Sequence, residues 1–299
     1  MEKTDAEYKQ AILIGAAPME KEAKQLLGLL KWAGYENEVP KETAENPKGT
    51  AEETGENKKD RPEVTTKAIE ENKKENSAEM AKETLECHHK CSACAKACKE
   101  NGLKKDVYVI AADGGLKFLL NHHMRPDFWI GDLDSLSEGD DELPTDFWNE
   151  IHRIEHEQVP VEKDDTDMAL AVAKAFELGY TDMMLYGGYG GARISHTLAN
   201  IQLMHHYAKK GCNIRMMGDG IRMEILWRGC KRFSAAMKGD LSVICLSDKA
   251  DRVKIQGLKY EYEGSLTSEV ALGISNSFIG QDALIEVQDG ALLLIYEKV

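Results

Sequence analysis

The chain has 299 residues, 42% of them hydrophobic and 30% charged, with a formal net charge of −14. That length favours two domains. The acidity argues against sequence-independent nucleic-acid binding, which depends on Lys and Arg neutralising phosphates, and against attraction to an anionic membrane surface. No run is apolar for long enough to span a bilayer. Residues 1–7 are polar and acidic with no signal-peptide core, so a cytoplasmic location is expected. Seven cysteines, an odd number, speak against a disulfide framework in such a chain. A polyanionic ligand such as a nucleotide would need a metal ion or a local basic pocket.

In chain order, residues 8–18 carry a short apolar run that stops at Gly15, Ala16, Ala17 and Pro18, which predicts a buried parallel strand. Residues 19–33 set Leu26, Leu27, Leu29, Leu30 and Trp32 among Lys and Glu, the pattern of an amphipathic helix, ended by Gly34. Composition then changes. Residues 36–104 are rich in Glu, Lys, Asn and Thr with few large apolar side chains, so a flexible insert or a solvated helical arm is expected.

The globular pattern returns at Lys105. A strand over 106–112 ends at Asp113-Gly114-Gly115, a short helix over 116–123 is broken at Arg125-Pro126, and a second strand runs into Gly131. A further strand is expected around Ile151–Val161, then a helix over Met168–Leu178 closed by Gly179. Strand Asp182–Tyr186, the loop Gly187-Gly188-Tyr189-Gly190-Gly191, a helix from about Ser195 to Lys209 and strand Asn213–Met217 follow. Such alternation predicts a parallel sheet with helices on its faces. Past Gly220 the apolar runs Ile221–Leu226, Asp240–Leu246, Arg252–Gln256, Leu284–Val287 and Leu292–Tyr296 read as strands, without a long helix. The expected fold class is therefore α/β, with a parallel-sheet domain (1–35 and 105–218), the charged, Cys-rich insert (36–104) and an all-β sandwich (219–299).

The chemistry centres on Gly131-Asp132-Leu133-Asp134-Ser135. Alternate side chains of an extended backbone point the same way, so Asp132 and Asp134 can converge on one small, hard cation. A carboxylate pair suits Mg²⁺, which is held by one or two carboxylates plus substrate phosphates. Three more polar clusters sit where strands end: Asp113-Gly114-Gly115, Asp164/Asp165/Asp167, and the loop and helix from Gly187 to Asn200. In open α/β sheets, ligands bind outside the carboxyl ends of the strands, so the clusters should meet in one crevice. Glycines there let backbone N–H groups approach phosphate oxygens, the helix after Gly191 offers its N-terminal dipole, and Arg193 offers a planar donor fork. Each part also has a structural reading. Gly114 and Gly115 suit a plain turn, Asp165 or Thr166 a helix N-cap with Asp167 in the first turn, and His196 an ordinary helix-surface residue. Taken together they fit a metal–nucleotide site for phosphoryl-type transfer.

The order and spacing of these motifs resemble the thiamine pyrophosphokinase (thiamine diphosphokinase) family. The resemblance is carried by Ala112-Asp113-Gly114-Gly115, Pro126-Asp127 with Gly131-Asp132-Leu133-Asp134-Ser135, Lys163-Asp164-Asp165-Thr166-Asp167, and Gly191 through Asn200. It continues in Gly257-Leu258-Lys259-Tyr260 and Gly273-Ile274-Ser275-Asn276, and covers residues 8–34 and 105–299. It implies a homodimer that transfers the pyrophosphoryl group of ATP to thiamine, releasing AMP. It also implies Mg²⁺ on Asp132, Asp134 and Asp167, with Asp113, Gly114, Gly115, Gly191, Arg193, His196 and Asn200 on the nucleotide side. Tyr260, Ser275 and Asn276 would hold thiamine, and Asp167 or Asp164 would take the hydroxyl proton. The chain departs from the family pattern at Ala192 and Ser195, which stand where a glycine and an aspartate are common, and in its insert at 36–104.

Cys87, Cys91, Cys94 and Cys98 form a candidate second metal site. Their spacing follows one helix face, and a 1.5 Å rise per residue spreads them over ~16 Å. One straight helix cannot wrap all four around an ion with Zn–S distances near ~2.3 Å. Metal binding then requires a helix break, help from His88 or His89, or two chains; the alternative is a soft apolar stripe for docking. Other readings of the whole chain are an Asp-X-Asp nucleotide-sugar transferase, a phosphatase with Asp132 as nucleophile, and a non-catalytic thiamine or nucleotide sensor on the same scaffold.

Overall fold

The computed structural model describes residues 10–15, 23–33, 107–133, 147–190, 193–218 and 220–297. All belong to the unit formed by Met1–Asn37 and Ser92–Val299; the remainder, Glu38–Cys91, and the whole insert expected at 36–104 lie outside the described residues.

Six parallel strands build the first part of the sheet: β1 (Gln10–Ile14), β2 (Val107–Ala112), β3 (Phe128–Gly131), β4 (Glu155–Gln158), β5 (Asp182–Tyr186) and β6 (Asn213–Gly218). Their spatial order is β4-β3-β2-β1-β5-β6. The chain therefore steps outward from β1 to β4 and then returns to pair β5 with β1. Helices cover both faces, because alternate residues of each strand face opposite ways. Ala11 and Leu13 pack with α4 (Asp167–Glu177) and α5 (Ile194–Ala208) through Met168, Ala171, Val172, Ala175 and Met204. Ile12 and Ile14 pack with α1 (Ala23–Trp32), α2 (Gly115–Asn121) and α3 (Phe147–Ile151) through Leu26, Leu30, Leu116, Leu119 and Ile151. Leu26 and Leu30, four residues apart and fully buried, each contribute roughly 2 kcal/mol of burial to holding α1 on the sheet.

The sheet then changes sense. β7 (Ile221–Phe233) turns back antiparallel on β6 and pairs along most of its length with β12 (Ala283–Glu297). The two halves of β12 take different second partners: Leu284–Asp289 meet β9 (Lys249–Gln256), and Leu292–Glu297 meet β8 (Asp240–Cys245). The register shift between Val287 and Ala291, where Gly290 has φ +100°, separates those halves. Strand β10 (Tyr262–Thr267) extends β9, and the short β11 (Asn276–Ser277) pairs β8. A second core of Leu241, Val243, Val253, Ile255, Ile285 and Leu294 fills this part.

Two expectations need correction, and two strands were missed. The strand expected around Ile151–Val161 is instead the end of α3 followed by a four-residue β4. Ile151 is fully buried against the helix side of the sheet, and its carbonyl accepts from Trp129 Nε1 at 3.0 Å. The runs at 284–287 and 292–296 are one bent strand rather than two. Strands β10 and β11 carry no strong apolar run and were not expected.

Candidate active site

The carboxyl ends of the strands are tied to one another residue by residue. Between the parallel strands β1 and β5, where the order of strand addition reverses, Gly15 N–H donates to Tyr186 O at 2.8 Å. A side chain at Gly15 would lie 2.8 Å from Met168 Cε and 3.0 Å from Gly187 O, so glycine lets the two strand ends approach without displacing the Met168 side chain. Gly115, expected either as a plain turn or as a phosphate loop, has a packing role: a Cβ would stand 1.9 Å from Ile14 O. Gly114 precedes it as the N-cap of α2. Asp113 is half-buried at φ +45°, with its N–H on Ile130 O at 2.9 Å, which sets the end of β2 beside the end of β3.

Asp132 follows β3 directly, and Leu133 after it has φ +61°. Across from it, Thr166 caps α4 by accepting from Ala169 N at 3.2 Å, so the cap is Thr166, while Asp165 is exposed. Asp167 then falls in the first helical turn, where the dipole favours a carboxylate. A residue that sequence reasoning left without a role joins the two. Lys163 Nζ lies 2.9 Å from Asp132 Oδ2 and 2.9 Å from Asp167 Oδ1. Burial acts to lower the Lys163 pKa, but hydrogen bonding and charge from the two aspartates outweigh it and hold the pKa above the ordinary lysine value. The signal in the sequence was its place immediately before the acidic run, at i−4 from Asp167. Asp164 is exposed on the same loop. Asp134 and Gly191 lie outside the described residues, as do Ala192 and the cysteines at 87, 91, 94 and 98. Among the described residues no group of three or more His, Cys, Asp or Glu side chains is arranged to hold a metal ion.

The glycine loop after β5 is pinned to α5. Asn200 is buried and donates from Nδ2 to Gly188 O at 2.5 Å, and Thr197 Oγ1 accepts from Gly190 N at 3.3 Å. A side chain at Gly188 would meet Met216 Sδ at 2.7 Å. Arg193 is the N-cap of α5 without a side-chain cap bond, and both it and His196 are exposed. The first turn of α5 therefore opens toward solvent beside a guanidinium, an arrangement able to take an anion.

A second concave feature lies in the antiparallel part. A cavity of about 260 Å³ is lined by Tyr260, Glu261, Tyr262, Leu272, Ile274 and Asn276, among others. Tyr260 is 58% exposed, and Lys259 Nζ stands 5.2 Å from the centre of its ring over one face. Asn276 is buried, and its amide holds the backbone: Oδ1 accepts from Tyr260 N and Ser277 N, both at 2.9 Å, and Nδ2 donates to Tyr260 O at 2.7 Å. Ser275 is exposed at φ +58°, with its N–H on Ser242 Oγ at 3.1 Å. Glu261 accepts from Gly257 N at 2.9 Å and brings a carboxylate to the cavity, which the sequence did not single out.

Among the described residues no helix is long and apolar enough to cross a membrane. Residues 100–216 match a family model described as thiamin pyrophosphokinase, catalytic domain. No curated protein matches the chain significantly. Among solved structures, thiamine pyrophosphokinase from Bacillus subtilis is 19% identical, with a TM-score of 0.61 over 97% of this chain and 100% of that one. A thiamin pyrophosphokinase family protein from Enterococcus faecalis is 26% identical, with a TM-score of 0.52 over 65% of this chain and 90% of that one. The yeast thiamin pyrophosphokinase is 12% identical, with a TM-score of 0.57 over 97% of this chain and 86% of that one. The chain thus resembles the thiamin pyrophosphokinases: it has their fold and carries, over residues 100–216, a segment that matches their catalytic domain.

Proposed function

We propose that this chain is a Mg²⁺-dependent thiamine pyrophosphokinase, using ATP as donor and releasing AMP. The observation that carries the reading is the meeting of Asp132 and Asp167 on one cationic point, 2.9 Å from an oxygen of each, at the carboxyl end of a switch-point sheet. Two hard carboxylate oxygens that close on a small cation are a fitting donor set for Mg²⁺. Asp134, two residues from Asp132, would complete it. When bound, the ion neutralises charge that develops on the transferred phosphates.

The residues divide the remaining work. Gly188 and Gly190, fixed by Asn200 and Thr197, hold a loop next to the open first turn of α5, and Arg193 adds a donor fork for the polyphosphate. Asp113 marks the neighbouring strand end on the nucleotide side. Tyr260 presents its ring to the aminopyrimidine or thiazolium of thiamine, at the cavity that Asn276 shapes by fixing the tyrosine backbone. Glu261 places negative charge near a cationic heterocycle. Within this reading, residues 219–299 act as the thiamine-binding domain and the chain works as a homodimer in the cytoplasm. The thiamine hydroxyl oxygen attacks the β-phosphorus in line, the bond from that phosphorus to the α,β-bridging oxygen breaks, and AMP leaves. Asp164, exposed beside the site, receives the hydroxyl proton.

Purified full-length chain incubated with ATP, Mg²⁺ and thiamine tests this. Thiamine diphosphate and AMP are the expected products. Thiamine binding without AMP would instead make the chain a sensor, and nucleotide-sugar turnover would support the transferase reading of the aspartates.

A further inference from the structure

Lys163 has a double contact that the proposed reaction does not by itself require. The Asp132 and Asp167 carboxylates are fixed through their backbones, one at a strand end and one in the first turn of α4. The ammonium between them is carried instead on a long flexible stem, from a loop four residues before Asp167. Asp132 and Lys163 expose only 8% and 15% of their side chains, so water screens this contact incompletely. Two carboxylates drawn to one point repel, and an opposite charge is needed to hold them together and ionised. Beyond the ammonium, the buried Asp167 oxygen that faces it has no hydrogen-bond partner, so it keeps acceptor capacity for a ligand of different geometry.

We propose that Lys163 is a resident cation: it holds the Asp132–Asp167 pair ready before a divalent ion arrives, and it competes with that ion for the same oxygens. The inference rests on the proposed metal role of the two carboxylates. A bare divalent ion must displace the ammonium, which then loses both carboxylate contacts. A metal–polyphosphate complex brings its own oxygens, and these receive the displaced ammonium. Lys163 is in this way a positioning residue that couples metal binding to nucleotide binding.

Mn²⁺ binding to the full chain without nucleotide, followed by electron paramagnetic resonance, tests it. Lys163→Met and Lys163→Gln should each bind Mn²⁺ about tenfold more tightly than the wild type, because two partly screened ion pairs no longer oppose the metal. Lys163→Arg, which keeps the charge, should stay near the wild type. If both neutral variants bind no more tightly while Asp132→Asn still weakens binding, Lys163 is not a competitor and the inference fails with the metal site intact. If Asp132→Asn leaves Mn²⁺ binding of the Lys163→Met chain unchanged, the metal reading itself fails.

Discussion

Replacing Asn276 with Ala removes a clamp made of three hydrogen bonds, to Tyr260 N, Tyr260 O and Ser277 N, at 2.7–2.9 Å. Each is worth about 1 kcal/mol net, so the full set would cost about 3 kcal/mol. Tyr260 is 58% exposed, and water can reach its backbone once the amide is gone. The expected loss is therefore nearer ~2 kcal/mol, with a fall in melting temperature of roughly 4–8 °C for a chain of this size. Two measurements check it: a urea titration for global stability, and amide exchange at Tyr260, whose N–H should lose protection. Thiamine affinity should fall as well, because the ring that meets the heterocycle is no longer fixed. Unchanged exchange at Tyr260, together with a stability change under about 0.5 kcal/mol, would refute the clamp.

Gly115→Ala would push a methyl group to 1.9 Å from Ile14 O, so the β1–α2 contact must open. We expect a loss of about 3 kcal/mol or more by urea titration, and a loss below about 1 kcal/mol would contradict the packing role. Glu224 is buried on β7 with Arg222 on Oε2 and Lys231 on Oε1, both at 3.0 Å, and the Tyr296 hydroxyl donating to Oε1 as well. Burial alone would raise its pKa, but the two cations and the hydroxyl outweigh burial and hold it well below the ordinary carboxylate range. Its contribution to stability is therefore complete above the unfolded value near ~4.3 and fades as pH falls below it. Glu224→Gln should cost about 3 kcal/mol at pH 7 and flatten the acid limb of the stability profile; an unchanged acid limb would exclude this carboxylate as its source.

The parallel half of the fold was legible because its strands are buried on both faces. Asp182–Tyr186 and Gln10–Ile14 are short apolar runs closed by glycine, and the helices between them alternate at helical spacing. Legibility failed where burial was one-sided or absent. All four residues of β4 are exposed at the sheet edge, and Ile151, which looked like the start of that strand, is apolar because it anchors α3 under Trp129. β7 runs seven residues past Leu226 with exposed Arg228, Cys230 and Arg232 on alternate positions, a pattern that pairing with β12 stabilises and apolar content does not announce. In the site, the aspartates and glycines were visible as types and spacings. Lys163 was not, because nothing local says that its ammonium reaches across to a residue 31 positions earlier. Asn276 lines the cavity, and its hydrogen bonds to the Tyr260 backbone and to Ser277 N, which no local sequence pattern announces, fix the tyrosine beside it.

The most direct test of the central claim follows label from ATP carrying ³²P at the β-phosphate, in the presence of Mg²⁺ and thiamine. The account predicts that the label leaves with the γ-phosphate, appears in thiamine diphosphate in equal amount to the AMP released, and does so only when Asp132 is intact. Label retained in ADP, or transfer undiminished in Asp132→Asn, would contradict it.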